Sequence, residues 1–145
     1  MVTIERSALV NYSAYQMYAL IDDIEQYPKF MQGCIAAEVV SRKDDEVTGK
    51  LTLGKAGIRY TFTTCNKVVP DESMHMQLVE GPFREFDAMW RFRALSATAC
   101  KVSLEMRFEW TGGFLGAAME KLFQHSANSL VDELVNRAHV IYGAS

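Results

Sequence analysis

At 145 residues the chain has the length of one ordinary domain and can bury a core without disulfides or metals. Hydrophobic residues make up 49% and charged residues 23%, the balance of an ordered globular protein rather than a disordered one. With 15 Lys and Arg against 18 Asp and Glu, the net charge of -3 excludes DNA or RNA binding driven by bulk charge and leaves only a local basic face.

Cys34, Cys65 and Cys100 are far apart, with no CxxC or Cys/His ligand spacing. They read as reduced thiols of a cytoplasmic protein, with no metal site expected. The opening Met1-Val2-Thr3-Ile4-Glu5-Arg6 has no apolar stretch of the kind a signal peptide carries. No apolar run approaches the roughly 18 residues of a membrane span, so membrane contact is expected to be peripheral.

Met1 to Val10 is rich in β-branched residues and predicts a strand. Ser13-Ala14-Tyr15-Gln16 spells a capping box, which predicts a helix through about Asp22 with Met17, Leu20, Ile21 and Ile24 on one face. Pro28 disfavours the α region for Tyr27 and can open a second short helical turn, ended by Gly33. Six strand-like runs then follow at short intervals: Cys34 to Arg42, Val47 to Leu53, Ile58 to Val69, Met74 to Val79, Phe83 to Leu95, and Cys100 to Thr111. The turn-rich segments between them, such as Lys43-Asp44-Asp45-Glu46 and Pro70-Asp71-Glu72-Ser73, predict an antiparallel meander.

In the last run Val102, Leu104, Met106, Phe108 and Trp110 alternate with Lys101, Ser103, Glu105, Arg107 and Glu109. Phe86, Ala88, Trp90 and Phe92 alternate in the same way. One apolar and one wet face predict a sheet covered on one side. From Phe114 to about Tyr142 there is no proline and the period becomes 3.6, with Leu115, Met119, Leu122, Phe123, Leu130, Leu134, Ala138 and Ile141 near one stripe. A single helix of that length, about 40 Å, would lie across the concave face of the sheet. The expectation is one α+β domain over residues 1–145, a curved antiparallel sheet of about seven strands around a long C-terminal helix, with two short helices after the first strand.

This order is that of the helix-grip fold, and the residues carry a resemblance. Tyr12-Ser13-Ala14-Tyr15-Gln16-Met17-Tyr18, Asp23 to Phe30, Gly33-Cys34, Lys55-Ala56-Gly57-Ile58, Phe62-Thr63-Thr64, Gly81-Pro82-Phe83 and Trp90-Arg91-Phe92 together resemble the coenzyme Q-binding and ribosome association toxin branch of the START-like superfamily. The resemblance implies a non-enzymatic module that binds a ubiquinone-like or other isoprenoid molecule in support of respiration, with no required cofactor. For the bacterial members it also implies binding to the large ribosomal subunit as a toxin. The superfamily contains polyketide cyclases, so a cyclase or aromatase is the alternative; Tyr60 and Thr64 are the inward polar groups it would use.

Tyr60, Phe62, Met76, Leu78, Phe86, Trp90, Phe92, Met106, Phe108, Trp110, Met119 and Phe123 are candidates for the wall of an apolar cavity. The same residues read equally as an ordinary packed core. Lys55, in Gly54-Lys55-Ala56-Gly57, is a candidate to reach a carbonyl or phosphate, or a solvated turn residue. Gly81-Pro82-Phe83 and Gly112-Gly113-Phe114-Leu115-Gly116 could form a lid that touches lipid through Phe83 or Phe114, or could be turns with a buried staple residue. Arg59, Arg84, Arg91, Arg93 and Lys101 fall on outer positions, as a basic stripe for ribosomal RNA or as charges paired with nearby acids. His125, Ser129 and Asp132 are one helical turn apart, a spacing frequent by chance; no hydrolytic triad is expected.

Overall fold

The computed structural model describes residues 1–55, 57–113 and 115–143. Strand β1 (Val2–Val10) is followed by α1 (Ala14–Asp22) and a 3-10 helix (Ile24–Lys29). Strands β2 (Cys34–Lys43), β3 (Glu46–Lys55), β4 (Ile58–Val69), β5 (Ser73–Glu80), β6 (Phe83–Ser96) and β7 (Ala99–Trp110) come next. The chain then forms α2 (Gly116–Asn128) and α3 (Leu130–Tyr142). The seven strands make one antiparallel sheet in the order β1-β7-β6-β5-β4-β3-β2, so the meander runs from β2 to β7 and β1 joins its far edge.

Local chemistry accounts for the elements. Ser13 Oγ accepts from the Gln16 amide at 3.0 Å and Gln16 Oε1 accepts from the Ser13 amide at 2.8 Å, closing the predicted capping box. The 3-10 helix starts four residues before Pro28 and includes it near its end, so the short turn does not begin at the proline. Tyr27 explains this: its ring is buried and its hydroxyl donates back to the Ile21 carbonyl, fastening the turn to α1. Asp44 and Asp71, with φ of 54° and 65°, take the left-handed positions at two hairpin tips, a conformation aspartate tolerates.

The predicted single C-terminal helix is interrupted at Ser129. Ser129 N–H bonds to the Ser126 carbonyl at 3.2 Å, a tightened turn, and its Oγ reaches the His125 carbonyl at 3.4 Å. Such serine back-bonding bends helices. The ladder resumes with Glu133 N–H to the Ser129 carbonyl at 2.9 Å. The buried stripe runs Met119, Phe123, Ala127, Val131, Leu134 and Ala138. Leu115 and Ile141, expected on it, are 54% and 49% exposed. The stripe keeps a spacing of three or four residues across Ser129, which carries Ala127 and Val131 inward and leaves the two ends outside the grip. Tyr12 ties the C-terminus down, with its hydroxyl bonded to the Gly143 carbonyl and 2.7 Å from His139 Nδ1.

The inner face of the sheet is the apolar one foreseen: Phe86, Ala88, Trp90 and Phe92 on β6, and Cys100, Val102, Leu104, Met106 and Phe108 on β7, are all buried. The β5–β6 ladder stops at Gln77 and Asp87. Beyond it the two strands diverge, one following β4 and the other β7.

Candidate ligand site

An apolar cavity of about 60 Å³ lies between the sheet and the C-terminal helices. Its sheet wall is Phe62, Met76, Phe86, Trp90 and Met106, with Leu51 and Leu53 from β3. Phe123, Ser126 and Ala127 cover it from α2 and Leu130 from α3. Tyr27, Met31, Gln32 and Cys34 close the remaining side. The interior is therefore neither solid nor roomy. Pockets that enclose drug-sized ligands run to about 300–1,000 Å³, so a larger guest must push side chains aside. Met31, Met76 and Met106 are the walls that can give, since methionine has three rotatable bonds and an adaptable sulfur.

Of the residues expected in the wall, Phe62, Met76, Phe86, Trp90, Met106 and Phe123 meet at this cavity. Phe108 and Trp110 instead belong to an aromatic cluster beside it: Phe108 lies 4.7 Å from Phe123, and Trp110 lies 5.0 Å from both Tyr60 and Phe83. Phe92 stacks on Trp90 at 6.3 Å and meets Tyr18 edge-on. Met119 is buried on α2. Leu78 is half-buried where β5 and β6 diverge. Tyr60 and Lys55 border a separate shallow cleft with Leu122 and Ser126. Burial pushes the Tyr60 phenol well above its ordinary range, so it stays neutral.

Phe83 is 4% exposed and packed against five aromatic rings, so it is the buried staple and not a membrane-touching lid. Phe114, the other proposed lid residue, lies outside the described residues. The cations do not form one stripe. Arg59 and Arg84 sit at one end of the sheet, while Arg93 faces Lys101 across β6 and β7 at the other. Arg91 is paired with Glu105 at 3.5 Å. Ser129 spends its hydroxyl on the helix backbone, which leaves no nucleophile–base pair with His125.

Residues 27–34 were read as a short turn and not as part of the cavity wall, although Tyr27 and Met31 stand four apart beside Pro28. That segment carries Gln32, whose backbone N–H donates to Glu133 Oε2 at 2.8 Å and holds the loop against α3 beside the cavity. Glu133 Oε1 is buried without a hydrogen-bond partner among the described residues, and burial raises the carboxyl above its ordinary value. The sign follows. Below about pH 4.5 both folded and unfolded chains hold this proton, so nothing is lost. As pH rises the unfolded chain releases it first, so the carboxylate progressively costs stability. Wild type is therefore expected to lose stability relative to Glu133→Gln between pH 4 and pH 7. Urea midpoints of both proteins across that range check this, and a constant difference would refute it.

Cys34 and Cys100 are buried and their thiols pushed up to about 11 by desolvation, while Cys65 is half-buried on the outer face of β4. Brief labelling with a maleimide at pH 7.5 is expected to modify Cys65 first, with Cys34 and Cys100 lagging by at least tenfold. Peptide mapping reads the order.

A curved antiparallel sheet gripping a C-terminal helix over an apolar interior is a START-like, helix-grip protein. The chain belongs to the polyketide cyclase/dehydrase and lipid transport family, which matches residues 10–135, and within it to the branch of ribosome association toxins and coenzyme Q-binding proteins. It is 37% identical over 140 residues to the ribosome association toxin RatA of Pseudomonas aeruginosa, covering 97% of each chain. It is 22% identical to the mitochondrial coenzyme Q-binding protein COQ10 of Dictyostelium discoideum, covering 99% of this chain and 72% of that one. The Zhui aromatase/cyclase from Streptomyces sp. R1128 shares the fold with a TM-score of 0.84 at 15% identity, over 99% of both chains. No helix among the described residues is long and apolar enough to cross a membrane.

Proposed function

We propose that this chain is a binding protein rather than an enzyme, and that it associates with the ribosome, on its large subunit, as a toxin-type inhibitor of translation. The observation that carries this reading is the end-to-end similarity to proteins named ribosome association toxins, at 37% identity. The contact would use the exterior. Sucrose-gradient profiles with and without added protein test it: 70S particles are expected to decline and the protein to migrate with a ribosomal fraction. Unchanged 70S levels with the protein left at the top of the gradient would remove the reading.

A second role belongs to the interior, which we take to hold a hydrophobic, ubiquinone-like molecule in the service of respiration. The apolar cavity with its methionine walls supports this, as does the distant likeness to a coenzyme Q-binding protein. Organic extraction of protein expressed in a ubiquinone-making host, followed by mass spectrometry, is expected to recover a quinone or another isoprenoid. Clean protein would count against it. The cyclase alternative draws no support from Tyr60 or Thr64. Tyr60 packs against the rings of Trp110 and Phe123, and Thr64 bonds to Asn66, not to an acid or histidine.

A further inference from the structure

Two polar side chains are fully buried among the described residues: Thr64 at 2% exposure and Asn66 at 1%. Both occupy inward positions of β4, in line with Phe62 and Val68. Thr64 Oγ1 donates to Asn66 Oδ1 at 2.7 Å. A buried amide costs free energy even when partly bonded, and an apolar pair of the same shape would serve the core as well or better. The position of the pair gives it a use. Phe62 precedes Thr64 on the same face; Met76 is the register partner of Asn66 on β5; Leu51 is the partner of Phe62 on β3. These three neighbours all line the cavity. Neither Thr64 nor Asn66 lines the cavity itself; the pair lies beside it on the same face of the sheet, next to lining side chains of which Met76 is the most easily displaced. Opposite Thr64 stands Gly49, over which Ile24 packs; a Cβ there would lie 3.2 Å from Ile24 Cδ1. Ile24 therefore fills the space over Gly49.

We propose that Asn66 and Thr64, reached from the cavity when Met76 turns aside, form a polar anchor for the hydrogen-bond-accepting head, a carbonyl above all, of an otherwise apolar ligand. The proposal rests on the reading that the interior takes a hydrophobic molecule, and it adds the chemistry of the head. Thr64 engages Oδ1, which orients the amide; the donor of the Asn66 side chain is then its Nδ2 group. A neutral donor in an apolar pocket selects a neutral acceptor such as a quinone or ketone oxygen. It gives no advantage to a bare hydrocarbon. Entry requires Met76 to turn aside, which enlarges the cavity toward Asn66 at the same time.

The test compares a ubiquinone with two isoprene units against farnesene, a hydrocarbon of similar apolar character with no head group, each titrated against the intrinsic tryptophan fluorescence. Wild type is expected to bind the quinone, and Asn66→Leu to bind it about tenfold more weakly, the effect of one buried hydrogen bond, with farnesene affinity unchanged. The infrared carbonyl band of the bound quinone should lie below its position in hexane and return toward it in the variant. Equal quinone affinity in wild type and Asn66→Leu would overturn the anchor while leaving the ligand reading intact. Failure of both probes to bind wild type would remove the ligand reading and the anchor with it. Should Asn66→Leu not fold, the band in wild type decides: an unshifted carbonyl overturns the proposal, and a shift abolished by Thr64→Val or weakened with affinity supports it.

Discussion

Phe123→Ala is expected to lower folding stability by about 3–5 kcal/mol, the usual cost of emptying a large aromatic site in a core. Phe123 is where the C-terminal helix meets the sheet. Its ring lies 4.7 Å from Phe108, 4.9 Å from Phe83 and 5.9 Å from Phe62, mostly edge-to-face, with Phe86 and Tyr60 slightly farther. These rings come from β4, β6 and β7, so a single truncation strips contacts from several strands at once. Relaxation cannot refill the space cheaply, because the neighbours are rigid rings held by the sheet ladder. The residue also lines the cavity, so the variant should enlarge the interior and accept bulkier apolar ligands. Urea unfolding measures the first effect, and a shift of the midpoint worth less than about 1 kcal/mol would show that the grip does not depend on this ring.

Much of this arrangement was legible in the amino-acid order, and the reasons are physical. Period-two alternation in β6 and β7 is unambiguous because one face is dry and the other wet, so Trp90 and Met106 could be placed inward before any coordinates. The capping box at Ser13 is a local motif whose partners are three residues apart. The C-terminal helix was harder. Its stripe was assigned with Leu115 and Ile141 and without Ala127, although Ala127 stands four residues from both Phe123 and Val131; Ala127 lines the cavity, and Ile141 is 49% exposed. Nothing local marks which serine in a helix will bond back to its own backbone. The cavity was harder still. Whether Phe62 lines empty space or packs like Phe108 depends on how closely helix and sheet approach, a long-range quantity with no counterpart in periodicity. Tyr27, Met31 and Gln32 were missed for a related reason: their role comes from a turn that doubles back over the sheet edge. The buried pair of Thr64 and Asn66 left a trace, two polar residues at inward positions of β4. Only its place beside Met76, which lines the cavity, makes that trace informative.

Ala127→Leu should separate the two roles proposed for the molecule. Ala127 is buried on α2, lines the cavity, and stands one turn from both Phe123 and Val131 on the inner stripe. Leucine adds three carbon atoms directed into a void of about 60 Å³, enough to fill most of it. Two effects then compete. Filling a void gains apolar contact, and any excess strains the neighbouring methionines, at a cost of about 1–3 kcal/mol for overpacking. The flexible walls favour the first, so the variant is expected to stay folded with little change in stability. Its effect on the interior should be far larger, because the space a guest must enter is already taken: ligand recovered per mole of protein should fall at least tenfold. Association with the ribosome, if it uses the exterior, should be unaffected in the same preparation. Parallel loss of both would mean that the occupied interior shapes the outer surface, and the roles would then have to be understood as one linked equilibrium rather than two.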